Sequence, residues 1–183
     1  MKSLITGGAR SGKSSFAERL CMSRAGEAVY VATAQAFDDE MKERIALHRS
    51  QRSVVTYPWR TLEEPLDLPD LLNRLASNGE PPAVLVDCLT LWLSNVLLAA
   101  GNDGEAAARE AIERLVEASS SYPGELMLVT NEVGSGIVPE YPLGRLYRDL
   151  SGMMNQRVAG ICEEVFLVTA GVAVELKRLE YRL

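Results

Sequence analysis

The stretch Gly7-Gly8-Ala9-Arg10-Ser11-Gly12-Lys13-Ser14 constrains this chain more than any other. Ahead of it, Leu4 and Ile5 within Lys2–Thr6 suit a short buried strand. Behind it, Ser15 to Arg24 hold neither Gly nor Pro and read as a helix, with Gly26 placed just past its end. The chain must therefore pass from strand to helix through glycines. Glycine lets successive backbone N–H groups turn inward around an oxyanion with no Cβ in the way. The helix N-terminus adds the positive end of its dipole. The spacing G-x-x-x-x-G-K-[ST] makes this a phosphate cradle, in which Lys13 reaches the β- and γ-phosphates of a nucleotide and the Ser14 hydroxyl ligates Mg²⁺. A glycine-rich turn that binds nothing would need neither flanking element.

Further along, Ala28 to Thr33 is an apolar, β-branched run and predicts a second strand. Asp38-Asp39-Glu40 suits the first turn of a helix, and the pattern predicts a helix over 39–52. On it, Arg44, His48 and Arg52 are four apart and form one stripe, with Arg49 beside it. Arginines around the chain's one histidine suit a phosphate-handling site. From spacing alone, a solvated basic face with a half-buried histidine is the favoured reading. Ser53–Tyr57 predicts a third strand and 58–65 a loop, with a short helix over 70–77 and a turn at Asn78–Pro82. Ala83-Val84-Leu85-Val86-Asp87 is a buried strand ending in an acid. Helices are expected at 89–100, 105–119 and 143–161, and strands at 126–130 and 164–168. Asn131 to Pro139 is a glycine-bearing loop at a strand's carboxyl end, where open α/β sheets place ligands. Ala173 to Leu183 fits an edge strand or a terminal helix equally well.

A hydrophobic strand ending in Asp, downstream of such a cradle, is the Walker B arrangement of P-loop NTPases, with Asp87 holding Mg²⁺ through its water shell. Strands alternating with helices predict a mostly parallel sheet with helices on both faces, an α/β P-loop NTPase fold compatible with a RecA-like order. At 183 residues the chain reads as one domain, 1–183, with no repeats or linkers. The net charge of −6 argues against a general nucleic-acid binder. Cys21, Cys88 and Cys162 are odd in number and far apart, as expected of reduced, buried thiols in a cytoplasmic protein. The N-terminus leaves no room for a signal peptide, and the longest apolar run, near Leu89–Ala100, is too short to span a bilayer.

The residues thus point to phosphoryl or nucleotidyl transfer from a nucleoside triphosphate with Mg²⁺. The N-K-x-D that reads guanine in switch GTPases is missing, and the D-x-x-G at Asp149–Gly152 falls inside a predicted helix. The K-x-D-G of lysine-linked nucleotidyl transfer is also missing. If a covalent nucleotide forms on nitrogen, His48 is the candidate. A kinase with a structural His48 and a non-catalytic nucleotide-binding subunit remain as competing readings.

The set of stretches resembles the bifunctional adenosylcobinamide kinase / adenosylcobinamide-phosphate guanylyltransferase family of cobalamin biosynthesis. The matching segments are Thr6–Ser14, Tyr30–Ala34, Asp38–Met41 with Arg44–Arg49, Trp59–Glu63, Val86–Leu93, Asn131–Pro139 and Arg145–Gln156. The resemblance implies two reactions. ATP or GTP phosphorylates the aminopropanol hydroxyl of adenosylcobinamide. GMP then passes from GTP to that phosphate through a covalent histidine phosphoramidate, giving adenosylcobinamide-GDP and pyrophosphate. Carried onto this chain, the histidine is His48. Nucleotide binding falls to Gly7, Gly8, Ala9, Arg10, Ser11, Gly12, Lys13 and Ser14, to Ala32, Thr33 and Ala34, to Arg49, Ser50, Gln51 and Arg52, and to Glu63 and Asp87. Ser14 and Asp87 would hold Mg²⁺. The resemblance also implies a RecA-like homotrimer. The spacer between Arg52 and Trp59 is a few residues longer than is usual in the family, with Ser53 where proline is common.

Overall fold

The computed structural model describes residues 1–35, 56–77 and 79–181. Seven strands, β1 (Lys2–Thr6), β2 (Ala28–Ala32), β3 (Trp59–Glu63), β4 (Ala83–Asp87), β5 (Leu126–Val129), β6 (Glu164–Thr169) and β7 (Val172–Glu175), form one sheet in the order β3-β2-β4-β5-β1-β6-β7. All neighbours pair in parallel except β6 and β7. The strand carrying the glycine loop, β1, is separated from the strand ending in Asp87, β4, by β5. Five helices are described: α1 (Lys13–Arg24), α2 (Leu68–Ala76), α3 (Leu89–Ala99), α4 (Gly104–Ser121) and α5 (Pro142–Ile161). This is the α/β P-loop fold that the strand–helix alternation predicts.

Apolar residues occupy both faces of the central strands, as parallel sheets require. On one face Leu4, Val84, Val86, Leu126 and Leu128 pack with α2 to α5 around Trp92, Ile112, Leu115 and Met154. On the other, Ile5, Tyr30, Leu85, Met127 and Val129 pack with Ala17 and Cys21 of α1. Successive residues on a strand face opposite ways. The pair Leu85 and Asp87, and likewise Tyr30 and Ala32, therefore lie on the α1 face. At the far end of α1, Arg24 donates to Ser3 Oγ at 2.9 Å and to Glu164 Oε2 at 2.6 Å, tying the helix to β1 and β6. All three cysteines are free and buried, as expected.

Three sequence expectations change. The segment 58–65, expected as a loop, contains edge strand β3. Pro58 and Pro65 bracket it instead of breaking it, and Trp59 and Thr61 are good strand formers in a position that forms a ladder on one side only. Thr56 and Tyr57, expected in a strand, are not in one. Tyr57 packs its ring on Trp59, centroids 4.7 Å apart, and donates its hydroxyl to Ala25 O at 3.0 Å. Of 173–183, expected as an edge strand or a terminal helix, only 173–175 lie in a strand, and 176–181 are in neither strand nor helix. Strand β7 pairs back on β6 through a two-residue turn, with Ala170 and Gly171 both at positive φ as such a tight hairpin needs. Gly26 follows the cap residue Ala25, just past the end of α1 as expected; it is not at positive φ, and Ala25 ends the helix in an extended conformation. The expected helix over 39–52, with Arg44, His48, Arg49, Ser50, Gln51 and Arg52, lies outside the described residues, as do Ser53–Val55.

Candidate nucleotide site

The glycine loop leaves β1 and enters α1 at the carboxyl end of the sheet. Its conformation is enforced from two sides. A Cβ on Gly7 would lie 2.4 Å from Val168 O of β6 and 2.7 Å from Ser11 Oγ, so only glycine fits without displacing backbone. Gly12 has φ +93°, and a Cβ there would come within 3.2 Å of Gly171 Cα. The Gly171 N–H at the β6–β7 turn donates to Ser11 O at 2.8 Å. From the other side, the Glu132 N–H donates to Gly7 O at 3.1 Å. The hairpin tip therefore grips the loop, and the segment after β5 holds its start. Lys13, buried at the head of α1, donates Nζ–H to Gly8 O at 3.1 Å, spanning the mouth of the loop. Ser11 Oγ and Thr6 Oγ1 are buried with no hydrogen-bond partner among the described residues. Buried hydroxyls are nearly always paired, so two orphaned ones at a glycine loop suit a site that receives an anion.

The strand register builds the rest of the site. Glu63, Ala32 and Asp87 are direct partners across the ends of β3, β2 and β4, and Val129 continues the row on β5. By the alternation of strand residues this row faces α1 and the glycine loop. Small Ala32 thus separates two acids whose strands are each about 5 Å from its own. The Asp87 carboxylate accepts from the Tyr30 hydroxyl at 3.0 Å through Oδ2. Ser14, half-buried in the first turn of α1, is the other candidate metal ligand. One hydroxyl and one carboxylate, both hard oxygens, fit Mg²⁺, which keeps several waters and takes phosphate oxygens for its remaining positions.

Thr33 follows Ala32 with its side chain engaged in the fold. Its hydroxyl donates to Cys88 O at 2.7 Å and accepts from Cys88 N–H at 2.9 Å. Asn95 of α3 donates to Thr33 O at 2.8 Å and to Pro65 O at 3.1 Å. Thr33 therefore ties the ends of β2 and β4 together and fixes where Ala32 and Ala34 present their backbone. The structure thus brings together Gly7–Ser14, Ala32–Ala34, Glu63 and Asp87 at one carboxyl edge. Arg49–Arg52 and His48 are outside the described residues.

Sequence reasoning missed the polar frame behind this edge. Thr90 Oγ1 meets Cys88 Sγ at 3.1 Å and accepts from Asn131 Nδ2 at 2.9 Å. Asn155 accepts from Thr130 at 2.7 Å and donates to Asn131 O at 3.1 Å. Tyr147 donates its hydroxyl to Thr90 O at 3.0 Å. Burial, with the Asp87 charge adding to it, pushes the Cys88 thiol above its ordinary range, so Cys88 stays protonated and is a hydrogen-bonding strut, not a nucleophile. Tyr30 was also missed as a positioning residue. Its signal was a tyrosine in a fully apolar strand, whose hydroxyl must find a partner.

Two outcomes follow from this geometry. Gly7→Ala should lower kcat/KM for nucleotide roughly tenfold or more, because the loop must shift off Val168 O; wild-type kinetics in that variant would mean that the loop does not set phosphate position. Asp87→Asn should reduce activity roughly tenfold or more and be partly rescued by raised Mg²⁺. Full activity with an unchanged Mg²⁺ dependence would remove Asp87 from the site.

Known proteins agree with this fold. The family model described as "Cobinamide kinase / cobinamide phosphate guanyltransferase" matches residues 3–176. The chain is 47% identical over 177 residues to the Pseudomonas aeruginosa bifunctional adenosylcobalamin biosynthesis protein CobP, covering 97% of this chain and 98% of that one. It is 41% identical over 187 residues to the Salmonella typhimurium bifunctional adenosylcobalamin biosynthesis protein CobU, covering 97% and 100%. Among solved structures, a prototypical ATPase from the type III secretion system of pathogenic bacteria aligns with TM-score 0.53 at 14% identity, over all of this chain and 58% of that one. The ATPase EscN of the enteropathogenic Escherichia coli type III secretion system aligns with TM-score 0.54 at 14% identity, over 92% of this chain and 43% of that one. At such identities these two show a shared P-loop fold and no more. The match over 3–176 and the near-complete coverage of the curated relatives place the chain in the cobinamide kinase / cobinamide phosphate guanylyltransferase family, as a bifunctional enzyme.

Proposed function

We propose that this one domain phosphorylates the aminopropanol hydroxyl of adenosylcobinamide with ATP or GTP and then guanylylates that phosphate through a covalent His48–GMP. The observation that carries the reading is the single carboxyl edge where the glycine loop, Asp87 and Glu63 converge in a chain matched by the family over 3–176. In the kinase step the acceptor hydroxyl attacks the γ-phosphorus in line. The loop N–H groups and Lys13 hold the β- and γ-phosphates, and no covalent enzyme intermediate is needed. In the transfer step a neutral imidazole nitrogen of His48 attacks the α-phosphorus of GTP and pyrophosphate leaves. The phosphate oxygen of the acceptor then attacks the same phosphorus, and the P–N bond breaks. Lys13 and the loop stabilise negative charge on the leaving pyrophosphate, and Arg49 and Arg52 are assigned the remaining charge neutralisation. When bound, Mg²⁺ at Ser14 and Asp87 would neutralise phosphate charge in both steps. Splitting guanylyl transfer in two lets one phosphate cradle serve two acceptors.

The finer partner assignments are part of the same proposal. The enzyme acts as a homotrimer on a corrinoid and not on nucleic acid, with Glu63 and the Ala32–Ala34 backbone contacting nucleotide. The three buried, unpaired thiols suit a reducing compartment such as the cytoplasm. Among the described residues no helix is long and apolar enough to cross a membrane.

Incubation with GTP and Mg²⁺ should leave GMP on the protein in an acid-labile, base-stable bond. Labelling should fall as pH drops through the histidine range, about 6.5 for an unperturbed imidazole, because only the neutral ring attacks. His48→Ala should lose labelling and guanylyl transfer while retaining phosphorylation of the corrinoid hydroxyl. A His48→Ala protein that still takes up acid-labile GMP contradicts the mechanism, since the chain has no second histidine.

A further inference from the structure

The segment between β5 and α5, which the nucleotide chemistry leaves unused, is braced from within. Its first residues are held by Glu132 N–H on Gly7 O at 3.1 Å and Asn155 on Asn131 O at 3.1 Å. Arg148 donates to Gly134 O. Arg145 donates to Pro139 O at 3.2 Å and to Glu140 O at 2.6 Å. Gly144 lets Tyr141 and Pro139 close over the start of α5, where a Cβ would lie 2.7 Å from each. Both guanidinium groups are thus turned onto the loop's own carbonyls. What the braced loop offers to solvent is apolar: Ile137 is 96% exposed, Tyr141 64%, Val138 56% and Leu143 47%. Exposed Glu132 and Glu140 flank them.

Large apolar side chains exposed along one short, hydrogen-bonded loop mark a surface that another body covers. This one is rooted on the P-loop itself through Gly7, beside the phosphates to which the acceptor must bring its hydroxyl. A triphosphate has no use for an apolar surface with an acidic rim. A corrinoid does: it is a broad macrocycle edged by methyl groups and neutral amides, and its cobalt(III) leaves it with a net positive charge. We infer that Ile137, Val138, Tyr141 and Leu143 form the platform on which the macrocycle of the corrinoid acceptor rests, with Glu132 and Glu140 as its acidic rim. The inference rests on the kinase and guanylyltransferase reading above. The platform orients the aminopropanol arm toward the nucleotide, so the same contacts serve the hydroxyl in the first reaction and the phosphate in the second.

The test is the double variant Ile137→Ser/Val138→Ser, whose side chains are exposed and whose loss leaves the braced backbone intact. Steady-state kinetics with adenosylcobinamide and GTP should show the KM for the corrinoid raised about tenfold or more in both reactions. The KM for GTP, and the extent of protein labelling by GTP alone, should be unchanged. Single Glu140→Gln should raise the corrinoid KM alone by a smaller factor. An unchanged corrinoid KM overturns the platform. So does a raised GTP KM, which would make the loop part of the nucleotide site. A change in sedimentation mass also overturns it, because the apolar loop would then be a contact between copies of the chain. A wild-type enzyme that labels with GTP but acts on no corrinoid would instead remove the functional reading, and this ligand with it.

Discussion

The site depends on one backbone conformation, that of Gly7 to Gly12. Phosphate is recognised by N–H groups, and N–H groups are placed by φ and ψ, not by side-chain choice. A loop of this kind left to itself would sample many shapes, because glycine loses the most conformational freedom on ordering. Here the neighbours remove that freedom. Val168 O fills the space beside Gly7, Gly171 crowds Gly12, and its N–H is bonded to Ser11 O at 2.8 Å. Strand β6 and the hairpin that follows it thus act as an external mould for a loop far from them in sequence. The edge strand β7 makes that hairpin possible, which gives the one antiparallel element of the sheet a role in the chemistry.

The second requirement is that the acids stand in register with the cradle. Glu63, Ala32 and Asp87 align only because β3, β2 and β4 are parallel and unshifted. A slip of one residue would turn each carboxylate to the other face of the sheet. The Thr33–Cys88 pair of hydrogen bonds, with Asn95 behind it, locks β2 against β4 at the end where the slip would matter. Each such bond contributes about 1 kcal/mol net, but leaving any of these buried groups unpaired would cost more. The frame is therefore a precision device more than a source of stability.

Much of this was legible in the residues. The G-x-x-x-x-G-K-S spacing and an apolar strand ending in Asp87 carry their structural context with them, so fold and cradle could be read together. The periodic helices at 89–100, 105–119 and 143–161 were found to within a few residues, and the D-x-x-G at Asp149–Gly152 does lie within a helix, α5. What was not legible depended on contacts distant in sequence. The strand Trp59–Glu63 was hidden by the prolines on either side of it, which mark loops as readily as strand ends. Nothing local in Gly171 says that it will touch Gly12. Thr33 was read as a nucleotide contact from the family pattern; that its hydroxyl also ties β2 to β4 through Cys88 was not legible. Tyr30, Thr90, Asn131 and Asn155 look unremarkable one at a time and acquire meaning only as a network.

The central claim is that one phosphate cradle serves two chemically different transfers. It is tested most directly by measuring both reactions, separately and under saturating corrinoid, in a Lys13→Ala protein whose folding is verified by an unchanged thermal transition. Lys13 sits at the mouth of the loop, so the account predicts that corrinoid phosphorylation and GMP labelling fall together by roughly a hundredfold or more. If one reaction collapses while the other keeps wild-type turnover, the two transfers use different sites and the account is wrong.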